Sequence, residues 1–220
     1  MRIKIYSGLS LGEAAVKKVL PEAEVCGPIK RSDLLGDIRE RVNIVGIIDG
    51  EFLQSVAVSP TNIRDALRHG LKVYGSSSMG AMRAAELDAY GMIGCGKIYE
   101  AIKATPYFKD DHLGQIFYRG TELASLPFVD LWFGLEQLCN DGEITPKELR
   151  TLRRHYEALH FSERSLPALK AKLRKRSDQG LSPPSWMTRW ICRPIRLSEV
   201  SSPSSVCGIW SWRVWPPPST

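Results

Sequence analysis

The sequence lacks long apolar runs and any cysteine spacing typical of a metal site or a disulfide framework. No uninterrupted apolar stretch approaches the roughly 18 residues that a membrane-spanning helix needs. The five cysteines are scattered, odd in number and without C-x-x-C spacing, which is typical of neither a disulfide framework nor a zinc site. The start of the chain alternates like a strand and has no signal-peptide pattern. We therefore expect a cytoplasmic protein with reduced thiols, no bound metal and no membrane partner.

The net charge of +6 is concentrated in one part of the chain. Residues 1–149 hold 17 Lys and Arg against 20 Asp and Glu, whereas residues 150–176 hold 9 against 2. Such a basic run is usually a solvated helix face, and a docking surface for an acidic partner is the alternative. No zinc-finger or recognition-helix pattern accompanies it, so no nucleic-acid partner is expected.

The first ninety residues alternate between strand and helix patterns. The run at 43–48 is apolar and β-branched, as in strands that are buried on both faces of a parallel sheet. A strand at 71–74 is followed by a helix at 79–90, and the segment 91–96 is predicted to be a small-residue bend. This alternation predicts an α/β fold with a small parallel sheet and flanking helices, whose ligands bind at the carboxyl ends of the strands.

The rest of the chain has a different character. The α/β core is predicted over 1–125 and a helical extension over 126–176, in which Thr145 opens a capping box and Ser162 starts the last helix. Residues 177–220 contain seven of the fourteen prolines and five of the six tryptophans. Because no apolar period runs through this tail, it is predicted to be disordered and is assigned no function.

Three polar turns follow strands of the predicted sheet, at 7–10, 49–50 and 76–80. In the last of them Ser78 stands where a strand breaks into a helix, with Gly80 two residues later. A serine there can cap the helix, belong to a loop that binds an anion, or attack a carbonyl as a nucleophile whose oxyanion the backbone amides stabilise. Spacing alone leaves these three alternatives open.

Charged side chains near these turns are candidates for the remaining roles. Lys97 could act as a base if burial lowered its pKa, and an exposed lysine is the ordinary alternative. Arg83 could hold an anionic group or pair with Glu86 on the same helix. Asp49, at the end of a buried strand, could position a lysine or a ligand amine, or cap its own turn.

The other predicted site residues are backbone donors, a hydroxyl and two acids. The donors are the amides of Met79 and Gly80 at the start of the helix, and the supporting hydroxyl is that of Ser10. The adjacent acids Asp110 and Asp111 could bind Mg²⁺, but such pairs are usually solvated loop residues, so no metal site is predicted.

Five segments of the sequence, in this order, resemble the TfuA-like family. They are Ser7–Leu11, Gly46–Gly50, Tyr74–Leu87, Tyr90–Glu100 and the pair Asp110-Asp111. The central pattern, S-M-G-A-x-R-A-A-E followed by G-M-x-G-x-G, is the most specific part. The resemblance covers residues 2–125 well and the helical part to 176 loosely, and the tail has no counterpart in it.

The resemblance implies a role in peptide backbone thioamidation. TfuA-like proteins accompany YcaO enzymes, which use ATP to activate the amide of a ribosomal peptide, as in the pathway to the antibiotic trifolitoxin. The resemblance implies that this chain hydrolyses a thiocarboxylated ThiS-like sulfur carrier protein to supply sulfide, without a cofactor, and meets the precursor peptide only indirectly. Ser78 matches the motif serine, and Lys97 is the predicted lysine of a Ser–Lys site, with Lys103 as its alternative.

Two other functions remain open at this point. The chain could be a non-catalytic adaptor that binds and activates the YcaO enzyme through the basic helices at 150–176. It could also bind an anion or a nucleotide at the start of the helix that follows Ser78, although it lacks a P-loop lysine and the G-x-G-x-x-G fingerprint.

Overall fold

The computed structural model describes residues 1–8, 10–51, 57–105, 108–114 and 125–177, and of 174–177 the backbone only. The chain forms two compact units, Met1–Phe108 and a second unit that begins at Lys109. The predicted domain boundary after residue 125 stays a prediction, because the segment just before it lies outside the described residues. The predicted disordered tail, from residue 178 onward, also lies outside them.

The first unit is built on a five-stranded parallel sheet, which confirms the predicted α/β class. The strands are β1 (Ile3–Tyr6), β2 (Glu24–Cys26), β3 (Ile44–Ile47), β4 (Lys72–Gly75) and β5 (Ile93–Gly94). They lie in the order β2-β1-β3-β4-β5, and all neighbours are parallel. The strand β3 is buried along its whole length, as its apolar β-branched run predicted.

Helices alternate with these strands along the chain. They are α1 (Glu13–Val19), α2 (Asp33–Arg39), α3 (Pro60–Arg68), α4 (Ser77–Leu87) and α5 (Lys97–Ala104), with a 3₁₀ turn at Asp88–Tyr90 after α4. The start of α3 is fixed by a capping box between Ser59 and Asn62, with Pro60 at the first helical position. The helix α4 packs against α3 on one side and α5 on the other.

The strand order has one topological switch point, between β1 and β3. From β1 the chain crosses to β2 on one side of the sheet, and from β2 it returns to β3 on the other side of β1. Loops that leave the carboxyl ends of two such strands diverge and open a crevice, which is where open α/β sheets bind their ligands. A ligand site is therefore expected at the turns that follow Tyr6 and Ile47.

The strand β5 corrects the prediction of a simple bend over 91–96. Ile93 and Gly94 pair with the end of β4 in parallel register. A Cβ atom on Gly94 would overlap the ring of Tyr99, so this position has room only for glycine. Two residues are too few to produce a hydrophobic period, which explains why the sequence pattern missed the strand.

The second unit is a helical cluster. Its helices are α6 (Phe128–Asn140), α7 (Pro146–Glu157) and α8 (Leu166–Ser177). They enclose a core of Phe128, Leu131, Leu135, Ile144, Leu152, Tyr156, Leu166, Leu169 and Leu173. The predicted capping box at the start of α7 is confirmed, with a 3.3 Å hydrogen bond from the Glu148 amide to the Thr145 hydroxyl. The prediction that the last helix starts at Ser162 is wrong.

A 3₁₀ turn at Phe161–Glu163 precedes α8 and displaces its start to Leu166. The ring of His160 accepts a hydrogen bond from the Ser162 amide, so a histidine caps this turn. Arg164 follows it, and its guanidinium is 0% exposed and pairs with the Asp111 carboxylate at 2.8 Å. The pair lies within the second unit and links its first described 3₁₀ turn to the segment before α8, through two residues 53 positions apart in the chain.

Candidate active site at the carboxyl edge of the sheet

Asp49 links the turns that leave β1 and β3 across the switch point. It is 8% exposed, and its Oδ2 accepts hydrogen bonds from the amides of Gly8 at 2.8 Å and Ser10 at 3.0 Å. Its Oδ1 accepts a further hydrogen bond from the Ser10 hydroxyl. The structure therefore brings the predicted residues Ser10 and Asp49 together. Asp49 fastens a loop here, and among the described residues it forms no ion pair with a lysine.

The third turn, which follows β4, packs against the second. A Cβ atom on Gly50 would lie 2.7 Å from Cγ of Met79, which is 1% exposed at the start of α4. The Gly80 amide donates to the Ile48 carbonyl at 3.4 Å. The three polar turns of the first unit thus lie side by side at one edge of the sheet.

The passage from β4 into α4 is sharp because two glycines let the backbones touch. A Cβ atom on Gly75 would overlap the carbonyl oxygen of Gly80, and one on Gly80 would overlap the carbonyl oxygen of Ile47. Between these contacts Ser77 has a φ of +57°, which is uncommon for a residue with a side chain. The next residue, Ser78, has a φ of −55° and a ψ of −105°, outside the helical range.

The three serines of this turn differ in their hydrogen bonds. Ser76 is the N-cap residue of α4, but its hydroxyl makes no capping bond and donates to the Cys95 carbonyl at 2.8 Å. Ser77 and Ser78 are half-buried, and their hydroxyls have no hydrogen-bond partner in the part of the chain that the structure describes. The non-helical dihedrals of Ser78 are compatible with a cap position before Met79, but its hydroxyl accepts no capping hydrogen bond from a described residue.

The first amides of α4 supply hydrogen-bond donors at this turn. A helix leaves its first N–H groups without an acceptor of its own. The Ser76 amide is used by the Ile47 carbonyl at 2.9 Å, and the Gly80 amide by Ile48. The amides of Ser77, Ser78 and Met79 remain as candidate donors to an anion or oxyanion, and the positive end of the helix dipole favours negative charge there.

Lys97 is the first residue of α5, the helix that follows α4 and the short strand β5. The amide of Cys95 donates to the Gly75 carbonyl at 2.9 Å, so the segment just before Lys97 lies against the serine turn. The Lys97 side chain is exposed and has no hydrogen bond or ion pair among the described residues, so the burial that its role as a base required is not found, and that role stays a prediction. Burial raises the pKa of the neighbouring Cys95 thiol above its ordinary value.

The alternative base, Lys103, is held in an ion pair. Its amine lies 2.6 Å from the carboxylate of Asp88. This hydrogen bond raises the pKa of Lys103, which keeps the amine protonated and makes it a poor base at neutral pH. Of the two predicted lysines, only Lys97 is without such a partner in the described chain.

Arg83 pairs with Glu86, one of the two roles that the sequence left open for it. One nitrogen of its guanidinium lies 2.8 and 3.0 Å from the two carboxylate oxygens of Glu86. Its Nε donates to the Val58 carbonyl at 3.1 Å. The side chain is thus tethered on the flank of α4, and its part in anion binding stays a prediction.

The acids Asp110 and Asp111 belong to the second unit, in a 3₁₀ turn at Asp110–His112. Asp110 is exposed, whereas Asp111 forms the ion pair with buried Arg164. The described residues contain no group of three or more side chains suited to hold a metal ion. Among them, no helix is both long and apolar enough to cross a membrane.

The sequence analysis missed a buried charge cluster beside β1. The Lys4 amine lies 3.0 Å from both the Asp37 and the Glu40 carboxylates, and the Tyr6 hydroxyl donates to Asp37 at 2.8 Å. Burial alone would lower the pKa of Lys4, but these two acids outweigh it and raise the pKa. A cavity of about 490 Å³ lies over the cluster. A lysine inside an otherwise apolar strand was the signal that could have revealed it.

Comparison with known proteins gives one family match. A family model described as TfuA-like protein matches residues 49–165, a little more than half of the chain. The match begins at Asp49 and includes the turn after β4, the predicted lysines and the Asp111–Arg164 pair. No curated protein matches the chain significantly.

Proposed function

This chain belongs to the TfuA-like family, and we propose that it supplies sulfide for YcaO-dependent thioamidation of a peptide backbone in the biosynthesis of a ribosomal peptide antibiotic. The family is associated with YcaO enzymes. The proposed substrate is a thiocarboxylated ThiS-like carrier protein in the cytoplasm, and the proposed reaction is hydrolysis of its C-terminal thiocarboxylate. The precursor peptide would bind the YcaO enzyme.

In the proposed reaction a serine of the turn after β4 attacks the carbonyl carbon of the thiocarboxylate. The hydroxyl passes its proton to a base as the C–O bond forms, and the base returns this proton to the sulfur atom as the C–S bond breaks, so that hydrosulfide departs. Water then cleaves the resulting ester and leaves the carrier as a carboxylate, so the net reaction is hydrolysis without redox change. Hydrosulfide is a far better leaving group than an amine, so a site without a full triad can suffice.

The observation that carries this proposal is the pair of unbonded hydroxyls at the start of α4. Ser77 and Ser78 have no hydrogen-bond partner among the described residues, although Ser76 beside them does. The candidate amide donors adjoin them, as stabilisation of an oxyanion requires. Lys97 is the proposed base, and Met79 and Gly80 complete the proposed turn.

The remaining proposed residues would line the path by which the carrier terminus reaches the serine turn. Asp49 holds the loop that contains Ser10 at the β1–β3 crevice. Arg83 and Glu86 form an ion pair on the same helix as the serines. A flexible carrier terminus that ends in a thiocarboxylate could enter along this open edge of the sheet, where its negative charge would meet the positive end of α4.

The test is sulfide release from a thiocarboxylated carrier by the double variant Ser77→Ala/Ser78→Ala. Loss of both unbonded hydroxyls should abolish release, while Ser76→Ala, in the same turn, should retain most of it. Both variants should show thermal unfolding close to that of the unmodified protein. Unchanged sulfide release by a folded double variant would eliminate the serine hydrolase.

A second candidate function, the non-catalytic adaptor, is favoured by one face of α7. Lys147, Arg150 and Arg154 are exposed at spacings of three and four residues and therefore lie on one side of the helix. No ion pair involves them within the described part of the chain. Such a row of unpaired cations suits an acidic protein surface.

The adaptor is tested by charge reversal of this face, Lys147→Glu/Arg150→Glu/Arg154→Glu. It should weaken binding to the YcaO enzyme, more at low than at high salt. The matched control makes the same charge change on exposed cations of the first unit, Lys18→Glu/Arg31→Glu/Arg39→Glu. If free sulfide restores thioamidation only when this chain is present, the adaptor role stands beside or in place of hydrolysis.

A further inference from the structure

We propose that Ser77, and not Ser78, carries the attacking hydroxyl; this inference rests on the proposed hydrolase function. The sequence pattern of a nucleophilic turn, G-x-S-x-G, fits both residues incompletely. Centred on Ser78 the pattern has Ser76 in place of its first glycine, and centred on Ser77 it has Met79 in place of its second. The sequence therefore does not distinguish between the two hydroxyls, and the choice depends on the backbone conformation.

The backbone at Ser77 is the one expected of a nucleophile at a strand-to-helix turn. Its φ of +57° is strained for any residue with a Cβ atom, and glycine adopts it without strain. Strain of this kind clusters at active sites, where function retains it. A serine in a position that favours glycine keeps a hydroxyl there at the expense of stability, and this hydroxyl has no hydrogen-bond partner among the described residues.

The surrounding contacts fix this conformation. Gly75 and Gly80 press the end of β4 against the start of α4, with no space for a Cβ atom on either residue. The corner between them cannot relax without separating the helix from the sheet. Gly75 is also the first glycine of the G-x-S-x-G pattern when the pattern is centred on Ser77. The tight packing at Gly75 and the positive φ of Ser77 therefore favour the same placement of the pattern on the sequence.

The position of the amide donors is compatible with the same assignment. In nucleophilic turns of this kind the amide that follows the nucleophile donates to the oxyanion. After Ser77 that amide belongs to Ser78, and it has no acceptor within α4. After Ser78 it would be the amide of Met79, which is also a candidate donor, so the choice of Ser77 rests on its φ and on the contacts of Gly75 and Gly80. In this assignment Ser78 contributes a backbone donor.

The deciding variants are Ser77→Gly and Ser78→Ala. Ser77→Gly removes the hydroxyl and keeps the positive φ, so it should lower hydrolysis of a small peptide thiocarboxylate about a thousandfold or more. It should unfold at the same temperature as the unmodified protein or a higher one, because it relieves strain. Ser78→Ala keeps its amide and should lower the rate less than tenfold.

A covalent label gives a readout that does not depend on turnover. A fluorophosphonate, which phosphonylates activated serines with loss of fluoride, should modify Ser77 in the full-length protein, as located by peptide mass spectrometry. If both variants lose activity, the labelled residue decides. A label on Ser78, no label at all, or an active Ser77→Gly beside an inactive Ser78→Ala overturns the assignment to Ser77. An active Ser77→Ala/Ser78→Ala variant instead removes the proposed hydrolase itself.

Discussion

Asp49 and Ser10 are joined across the topological switch point of the sheet, carboxylate to amide at 3.0 Å. The same carboxylate also binds the Gly8 amide at 2.8 Å, so one buried acid holds the loop after β1 against the end of β3. The backbone pairing of β1 with β3 ends at Tyr6 and Ile47 and does not include these hydrogen bonds. Asp49 therefore contributes three of the hydrogen bonds that hold this loop, and the Ser7 hydroxyl adds another to the Leu11 carbonyl.

Replacing this acid should loosen the loop and slow the reaction. Asp49→Asn removes the charge and replaces one accepting oxygen by a donor, and we expect a loss of about 2 kcal/mol in the free energy of unfolding. Sulfide release should fall at least about tenfold, because the loop beside the serine turn is no longer held in place. Urea denaturation and a sulfide assay measure the two effects. Asp65→Asn, at a half-exposed acid whose only ion pair among the described residues is with exposed Arg68, is the control and should change both quantities little.

Gly80 should tolerate no side chain, unlike a glycine in an open helix. Gly80→Ala forces a Cβ atom into the Ile47 carbonyl, and we expect destabilisation by about 3 kcal/mol or more. Gly36→Ala is the matched control, because a Cβ atom there meets nothing within 4 Å in α2. It should stabilise the protein by about 0.5–1 kcal/mol. Equal effects of the two changes would contradict the packing of α4 against the sheet.

The two predicted lysines should behave differently when removed. Lys97→Ala should lower sulfide release about a hundredfold at neutral pH, as expected for loss of a general base. Lys103→Ala breaks an exposed ion pair with Asp88 and should change the rate little and the stability by less than about 1 kcal/mol. A larger loss of rate from Lys103→Ala than from Lys97→Ala would reverse the assignment of the base.

The second unit should lose stability as the pH falls below the ordinary pKa of histidine. Burial lowers the pKa of His112 below 6.5, and this outweighs the nearby carboxylates of Asp111 and Glu157. Between the unfolded and the folded pKa the unfolded chain binds the extra proton, so the free energy of unfolding rises with pH. The contribution is complete above about pH 6.5 and declines as the pH drops toward the folded pKa.

Urea denaturation across this range, followed by circular dichroism, measures the slope. His112→Gln should flatten it, whereas His69→Gln, at an exposed histidine of the first unit, should leave it unchanged. An unaltered slope in the His112 variant would assign the pH dependence to another group.

Local patterns predicted the parts of the fold that local chemistry determines. The apolar run around Ile44 and the capping box at Thr145 both specify their elements within a few residues, and both predictions are confirmed. The strand β5 is two residues long and exists only because β4 lies beside it, so no local period could reveal it. The false helix start at Ser162 has a similar cause, since His160 caps a 3₁₀ turn there.

The sequence predicted where the polar turns lie in the fold, but not which partners their side chains have. Strands that alternate with helices form a parallel sheet, whose carboxyl ends share one edge, and this predicted the three turns together. The partners of individual side chains depend on contacts between distant residues. Asp111 lies 53 residues from Arg164 in the chain, and the sequence around Asp111 contains no pattern that predicts this partner. The same holds for Lys97, whose exposure is a property of the folded surface and not of its neighbours in sequence.

The burial of Cys95 bears on the fate of the sulfur atom. Its backbone is fastened to the serine turn, yet its thiol keeps its proton at neutral pH because burial raises the pKa. A protonated thiol is a weak nucleophile, so Cys95 is unsuited to accept sulfur as a persulfide. Sulfur set free at this turn would therefore depart as a diffusible ion, and the cell would need the consuming enzyme close by to capture it.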